Sequence, residues 1–232
     1  MSVEALMIFA AGKGTRMGAL TKDRPKPLIQ VAGRPLIKHA ITMGQDAGFR
    51  RIVANVHYKP DPLEDLLRAA GVTVSDEKDR LLETGGGLKA ALPLLGAGPI
   101  ATLNADAVWT GDNALRALRD RWDPRQRALL ALVPKDRAQG HTGDGDFALS
   151  PEGTLSRGGP LVYTGAQCLD PGALDQIGDT VFSLNRYWDL LARDTPLHGF
   201  VITGGWCDVG HPDAIQIAEQ MLEADENVSP HG

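Results

Sequence analysis

A chain of 232 residues, 43% hydrophobic and 23% charged, can bury a sizeable core and fits one large domain. A net charge of −5, from 24 basic and 29 acidic residues with no basic stripe, argues against a nucleic-acid partner, whose phosphates demand concentrated positive charge. Cys168 and Cys207 belong to no C-x-x-C pair or Cys/His cluster, the N-terminus shows no signal-peptide pattern, and no apolar run approaches the roughly 20 residues of a bilayer span, so zinc, secretion and membrane insertion are not expected and the compartment is read as cytoplasm.

The first half alternates short apolar runs with amphipathic ones. Residues 5–10 (ALMIFA) read as a buried strand and 11–18 as a glycine-rich loop. A helical pattern starts at Pro35, with Leu36, Ile37, Ala40, Ile41, Gly44 and Ala47 on one face, and Gly48 stops it. A strand at 51–56, a short helix at 62–70, a strand at 72–75, a helix at 88–95 and a strand at 99–104 follow. Strand–helix alternation with wholly apolar strands predicts an α/β fold: a Rossmann-like, mostly parallel sheet with helices on both faces and right-handed crossovers. Ligands of such sheets sit beyond the carboxyl ends of the strands, which singles out the loops at 11–27, 83–87 and 104–110.

The second half is less regular. A strand at 128–133 precedes a Gly/Asp/Pro/Arg-rich stretch at 134–160, read as a loop with short hairpin strands. A strand at 161–169, a helix at 183–192, a strand at 197–202 and a closing helix at 211–224 complete the pattern, and the tail beyond Asp225 is expected to fray. With no repeat, low-complexity tract or linker, residues 1–232 are treated as a single catalytic domain: a nucleotide-binding half (5–133), a smaller substrate-binding insertion (134–200) and a closing segment (201–225).

The segment Ala10-Ala11-Gly12-Lys13-Gly14-Thr15-Arg16-Met17-Gly18 suits an anionic ligand. Glycines let the backbone turn sharply and present N–H groups, and Arg16 can grip phosphate oxygens bidentately. It lacks the G-K-[ST] ending of a P-loop, and Met17 replaces the third glycine of a dinucleotide fingerprint, so a plain strand-to-helix turn explains it equally well by itself. Lys26 stands between Pro25 and Pro27, where fixed φ angles hold an ammonium at a defined point; a solvated turn lysine is the bland alternative. Asp106 and Asp208 each follow a predicted strand, and Mg²⁺ is commonly held by one or two carboxylates together with substrate phosphate oxygens and water.

In order, Gly12-x-Gly14-Thr15-Arg16-Met17, Pro25-Lys26-Pro27-Leu28 and Val31-x-Gly33-x-Pro35-Leu36-Ile37 closely resemble the signature of the sugar-1-phosphate nucleotidyltransferases. The resemblance continues through Leu82-Glu83-Thr84-Gly85-Gly86-Gly87, Asn104-Ala105-Asp106-Ala107-Val108-Trp109 and Trp206-Cys207-Asp208-Val209-Gly210. Glu-Thr-Gly-Gly-Gly with Asp-x-x-Trp looks most like the bacterial N-acetylmuramate-1-phosphate uridylyltransferases of cell-wall recycling, with mannose-1-phosphate guanylyltransferases next.

That resemblance implies transfer of a nucleoside monophosphate from a triphosphate, UTP foremost, to a sugar 1-phosphate such as N-acetylmuramate 1-phosphate, with Mg²⁺ as cofactor and release of pyrophosphate. It makes Asp106 and Asp208 the metal carboxylates, and with Arg16 and Lys26 the catalytic set. Ala11, Gly12, Gly14, Thr15, Arg16, Glu83, Gly86 and Gly87 fall at nucleotide-binding positions, with the base expected to lie flat on the glycine run. Gly145 and Asp146 of Gly143-Asp144-Gly145-Asp146-Phe147, together with Gly165 and Asn185, are the sugar-side candidates. His39, His57, His141, His198 and His211 show no metal spacing and no paired nucleophile, and are assigned no chemistry.

One position departs from the family, which usually has glycine before the metal aspartate. Ala105 cannot adopt a positive φ cheaply, so Asp106 would be displaced if the site needs one. This motivates a rival reading, a nucleotide-sugar sensor without turnover. A nicotinamide dehydrogenase is a second rival, but it wants an acidic residue about 20 positions past the glycine loop at a strand end, and Asp46 falls on a helix. The expected partners are the two small substrates, with no nucleic acid or membrane, on a monomer or small homo-oligomer that lacks the acyltransferase domain appended to some relatives.

Overall fold

A computed structural model describes residues 2–228. In chain order its elements are β1 (Ala5–Phe9), β2 (Gln30–Val31), β3 (Arg34–Pro35), α1 (Leu36–Asp46), β4 (Arg51–Val56), α2 (Asp61–Ala69), β5 (Thr73–Asp76), α3 (Glu83–Leu95), β6 (Ile100–Asn104), β7 (Ala107–Trp109) and α4 (Ala114–Arg121). There follow β8 (Ala128–Pro134), β9 (Ala138–Gln139), β10 (Phe147–Leu149), β11 (Leu155–Arg157), β12 (Leu161–Leu169), α5 (Leu184–Leu191), β13 (His198–Val201), β14 (Trp206–Asp208) and α6 (Asp213–Val228).

The main sheet runs β11-β10-β12-β6-β1-β4-β5, with β8 pairing β12 and β13. Pairing is parallel from β6 through β1 and β4 to β5. It turns antiparallel where β12 meets β6 and β8. Residues 134–200 thus join the same sheet through β12. Along β1, Leu6 and Ile8 point into a cluster with Ile37, Ile41, Leu63, Leu67 and Leu115 of α1, α2 and α4. Ala5 and Met7 point the other way, to Leu88, Leu95, Tyr187 and Trp188 of α3 and α5. Strand side chains alternate between faces, so an all-apolar strand requires a covered face on each side, and this one has both. A third cluster, including Met17, Ile29, Val108, Cys207 and Met221, fastens α6 to the glycine loop and to β7 and β14.

Several boundaries differ from expectation. The stretch at 11–18 is not loop throughout: a 3₁₀ helix runs Thr15–Thr21, kinked at Gly18. No element was expected over 107–109 or 114–121, yet these are a strand and a helix. The side chain of Asn113 caps α4 by accepting from the backbone N–H groups of Leu115 and Arg116, the usual device for the orphan donors of a first turn. α6 continues past Asp225 to Val228, and the rest of the tail expected to fray lies outside the described residues. Cys168 and Cys207 are buried and free. Among the described residues no helix is long and apolar enough to cross a membrane.

The largest correction concerns the glycine run. Residues 83–87 are not a loop but the opening of α3. A Cβ on Gly85 would lie 2.4 Å from the Phe182 ring, on Gly86 2.2 Å from the Thr180 carbonyl oxygen, and on Gly87 2.6 Å from Glu77 Oε1. The N–H groups of Gly85 and Gly86 both donate to the Phe182 carbonyl, at 2.9 and 3.0 Å. The missing side chains of these glycines thus make room for protein, which packs closely against the start of α3. The contact at Gly86 is backbone, which cannot swing aside. Gly86→Ala should destabilise by about 1–3 kcal/mol, the range for overpacking, and lower the melting temperature by about 2–4 °C for each kcal/mol. Gly178→Ala, whose Cβ would meet nothing within 4 Å, should melt with the wild type. Thermal unfolding of the two variants side by side checks the pair.

Candidate active site

The cleft begins where β1 and β6 end. Phe9 and Asn104 are register partners at the carboxyl ends of these parallel strands. Asp106 sits in the turn between β6 and β7. β7 then pairs antiparallel with β14, opposing Ala107 to Asp208, and the Val209 N–H donates to the Asp106 carbonyl at 2.9 Å. A small sheet thus carries Asp208 to the side of Asp106, far from it in sequence. Burial pushes the Asp208 carboxyl above the ordinary range and the charge of Asp106 adds to this, while Lys26, Arg16 and His141 oppose it.

Lys26 is buried, and its Nζ donates to Asp106 Oδ2 at 2.8 Å. Pro25 and Pro27 flank it in a 3₁₀ turn, in which the Leu28 N–H donates to the Pro25 carbonyl at 3.0 Å. Gly14, at φ 62°, is what lets the lysine pass: a Cβ there would lie 2.7 Å from Lys26 Cβ. Left-handed backbone and missing side chain are both needed at this one residue. Arg16, in the first turn of the 3₁₀ helix, shares the space over Gly210 with Asp208: a Cβ at Gly210 would meet Asp208 Oδ2 at 3.0 Å and Arg16 Nη1 at 3.2 Å.

Ala105 does not strain the turn. Positive φ at non-glycine positions occurs, among the described residues, at Ala32, Lys59 and Glu83 and not at Ala105, which is buried with its N–H donating to the Phe9 carbonyl at 3.2 Å. Asp106 therefore needs no glycine before it here, and the motive for a sensor without turnover disappears.

Beside these carboxylates lies a cleft of about 370 Å³ lined by Ala11, Gly12, Asn55, Leu81, Glu83, Thr84 and Asp106, with Phe9, Asn104 and Ser183. Gly86 and Gly87, expected at the nucleotide, do not line it. Glu83 does, held at φ 61°, a conformation non-glycine residues avoid unless their surroundings impose it. Behind the cleft a buried network ties three segments together. The Ala10 N–H donates to Asn55 Oδ1 at 2.7 Å, Asn55 Nδ2 donates to Glu77 Oε1 at 2.7 Å, and the Leu82 N–H donates to Glu77 Oε2 at 3.0 Å. Burial raises the Glu77 carboxyl, opposed by these hydrogen bonds. Sequence reasoning missed both residues. A polar Asn55 inside the apolar strand RIVANV was the available signal, because a buried amide must find partners.

A second pocket, of about 240 Å³, shares Phe9, Thr84, Asn104 and Ser183 with the first, and is otherwise lined by Asp146, Phe147, Arg157, Tyr163, Leu184, Asn185 and Trp188. Of the sugar-side candidates, Asp146 and Asn185 line it directly. Asp146 Oδ2 accepts from the Tyr163 N–H at 2.8 Å. Gly165, at φ 85° in the bulge of β12, makes room for Asn104, whose side chain a Cβ would meet at 2.8 Å. Gly145 lies against the Gly159 carbonyl, 2.0 Å from where its Cβ would be, so it serves the loop rather than the pocket. Arg157 carried no signal in its Gly-rich stretch. Among the histidines, His141 stands with its ring centroid 6.3 Å from that of Trp206 and is one of the groups opposing the rise at Asp208.

A family model for the MobA-like NTP transferase domain matches residues 6–195. The chain belongs to this family. It is 39% identical to the N-acetylmuramate alpha-1-phosphate uridylyltransferase of Caulobacter vibrioides, over 93% of this chain and 96% of that protein. It is 36% identical to the enzyme of the same name from Neisseria meningitidis, over 94% and 98%. A mannose-1-phosphate guanyltransferase from Aspergillus oryzae is 27% identical, and this chain covers 60% of its length. The inositol-1-phosphate CTP transferase of T. maritima shares the fold, with a TM-score of 0.80 at 16% identity over 99% of each chain. The matched NTP transferase span holds Arg16, Lys26 and Asp106 and stops short of Asp208, which β14 and α6 add from outside it.

The two aspartates should respond oppositely to loss of charge. The ionised form of Asp208 is disfavoured in the fold, so its folded pKa lies above the unfolded one. Stability is then lost as pH rises from the unfolded pKa through the folded one. In chelator-treated protein at neutral pH, Asp208→Asn should melt above wild type, by about 2–4 °C for each kcal/mol relieved. Asp106→Asn removes the counter-charge of a buried ammonium and should melt below it. Differential scanning calorimetry of both variants, which rejects the account if Asp208→Asn melts lower, is the check.

Proposed function

We propose that this chain transfers UMP from UTP to N-acetylmuramate 1-phosphate, forming the UDP-sugar and pyrophosphate. The reaction class rests on one observation, the convergence of Asp106, Asp208, Lys26 and Arg16 at the carboxyl edge of the parallel strands, beside a cleft. The substrates follow the two relatives that the chain matches along nearly their whole length.

The attacking group is an ionised phosphate oxygen and the leaving group is pyrophosphate, so no general base is required. Catalysis is positioning and charge stabilisation. Among the described residues no group of three or more His, Cys, Asp or Glu side chains could cage a metal. Asp106 and Asp208 fit an ion that takes one or two carboxylates and completes its shell with phosphate oxygens and water, as Mg²⁺ does. Two adjacent carboxylates, one with its pKa raised by burial and further by its neighbour, are a donor set that a divalent cation would relieve. Held by these residues, Mg²⁺ would supply charge neutralisation at the α-phosphate. The backbone of Ala11 to Gly14 and the guanidinium of Arg16 hold the triphosphate tail. Thr84 and Glu83 face the rest of the nucleotide, and Asp146 faces the sugar. Lys26, immobilised by its prolines, places a point charge where charge moves in the transition state.

Three measurements follow. Asp106→Asn and Asp208→Asn should each abolish pyrophosphate release at matched magnesium, and turnover within about tenfold of wild type would discard the two-carboxylate assignment. Lys26→Ala should lower kcat by about 10²–10³ with a smaller rise in the UTP KM, whereas an intact kcat with weakened binding would deny it a transition-state role. A matrix of triphosphates against sugar 1-phosphates should peak at UTP with N-acetylmuramate 1-phosphate. A peak at GTP with mannose 1-phosphate would move the chain to the guanylyltransferases.

A further inference from the structure

Arg157 is held far more firmly than a half-exposed arginine needs to be. Its side chain is 46% exposed, yet its Nη1 donates to Asn185 Oδ1 at 2.8 Å and its Nη2 contacts Asp189 Oδ1 at 2.8 Å and the Asn185 carbonyl at 3.4 Å. The guanidinium carbon lies 5.1 Å from the Phe147 ring centroid and 5.3 Å from that of Trp188. Trp188 is itself pinned, its Nε1 donating to the buried Gln167 Oε1 at 2.8 Å. Exposed ion pairs contribute little to stability, since solvent screens them and ordering two long side chains opposes them. A clamp of stacked rings and hydrogen bonds around such a group is better explained by what the group is aimed at.

Arg157 lines the second pocket and is the one cationic residue among those lining it. Among the described residues its Nε–H and a second Nη1–H have no hydrogen-bond partner, so donors remain for a ligand. The pocket opens onto the cleft of Asp106 across Phe9, Thr84, Asn104 and Ser183. A sugar 1-phosphate with its phosphate near Lys26 and Asp106 would put its ring, with its substituents, into this second pocket.

We infer that Arg157 is a specificity residue that accepts a carboxylate carried by the sugar, which makes the acceptor class an acidic N-acetylhexosamine 1-phosphate; the inference rests on the reading of the site as a sugar-1-phosphate nucleotidyltransferase. N-acetylmuramate bears such a group, a lactyl ether on its ring, and N-acetylglucosamine is the same sugar without it. A planar guanidinium matches a carboxylate bidentately, and fixing it beforehand spares the ordering of a flexible side chain on binding. Asn185, expected to touch the sugar, acts instead as a positioning residue. Its Oδ1 accepts from Arg157 and its Nδ2 contacts Ser183 Oγ at 3.3 Å, which leaves little of the amide for a ligand.

The test is steady-state kinetics of the full chain at saturating UTP, with N-acetylmuramate 1-phosphate and N-acetylglucosamine 1-phosphate as alternative acceptors. The wild type should favour the muramate. Arg157→Gln should lower the ratio of kcat/KM values, muramate over glucosamine, by about 10–100-fold, the worth of one hydrogen-bonded charge, chiefly through the muramate KM. Arg157→Lys should recover part of that ratio, and Asn185→Ala should reduce it less than Arg157→Gln does. Equal losses on both sugars would mark Arg157 as merely structural and overturn the inference, as would an unchanged muramate KM in Arg157→Gln. Lack of pyrophosphate release by the wild type with either sugar would overturn the underlying reading and the carboxylate site with it.

Discussion

The contact between Lys26 and Asp106 is the constraint around which the carboxyl edge is arranged. An ammonium that is 8% exposed must have a counter-charge, and a carboxylate 2.8 Å away provides it. To bring the two together the chain must end β1 and β6 side by side and turn tightly after Asn104. It must also carry the lysine back across the glycine loop. Gly14 is indispensable to that crossing because the lysine stem occupies the space of its missing Cβ. Pro25 and Pro27 then limit where the stem can go. Asp208 joins later, through β14, and enters an environment that already holds one carboxylate.

This order explains why the site opposes its own stability. Lys26 offsets the charge of Asp106, but Asp208 is left buried beside a like charge, with Arg16 and His141 as partial compensation. On the proposed function, a carboxylate pair that is unfavourable when the protein stands alone would become favourable with a divalent cation and a polyphosphate bound. Active sites commonly hold such frustration in reserve, and the surrounding core must supply the stability that the site lacks. Here the three apolar clusters do so, and the third fastens the glycine loop directly to β14 and α6.

The parts legible in the sequence were those with a strong local cause. β4 and β12 fell on the expected residues because apolar runs bounded by turn signals have few alternatives. Asp106, Asp208 and Lys26 could be singled out by motif and position, and the fold brings Lys26 and the strand of Asp208 to Asp106. The glycine run was misread as a loop for a physical reason: glycine is common in loops and also where a helix start packs closely on other segments, as here on Phe182, Thr180 and Glu77. The condition attached to Ala105 is not met, since a glycine usual in a family does not mean a positive φ at that position. Glu77 and Arg157 were invisible because their roles depend on partners distant in sequence, and Asn55 gave only the signal of an amide within an apolar strand.

The two halves of the main sheet divide the recognition task according to their geometry. Parallel strands end together at one edge, so β1, β4 and β6 release their loops into a common cleft suited to a long, charged nucleotide. Antiparallel β12 runs against β6, so its residues reach the same edge from the opposite direction, and its bulge at Gly165 turns that approach into a pocket. Asn104, at the last position of β6, touches both regions: it lines the cleft and fills the space left by Gly165. A single strand end therefore sets the distance between the two binding regions. A bond-forming enzyme needs that distance held more tightly than either pocket alone, because misplacing reactants by about 1 Å can lose two orders of magnitude in rate. Joining both pockets to one sheet, and not to two mobile bodies, is the arrangement that meets this requirement.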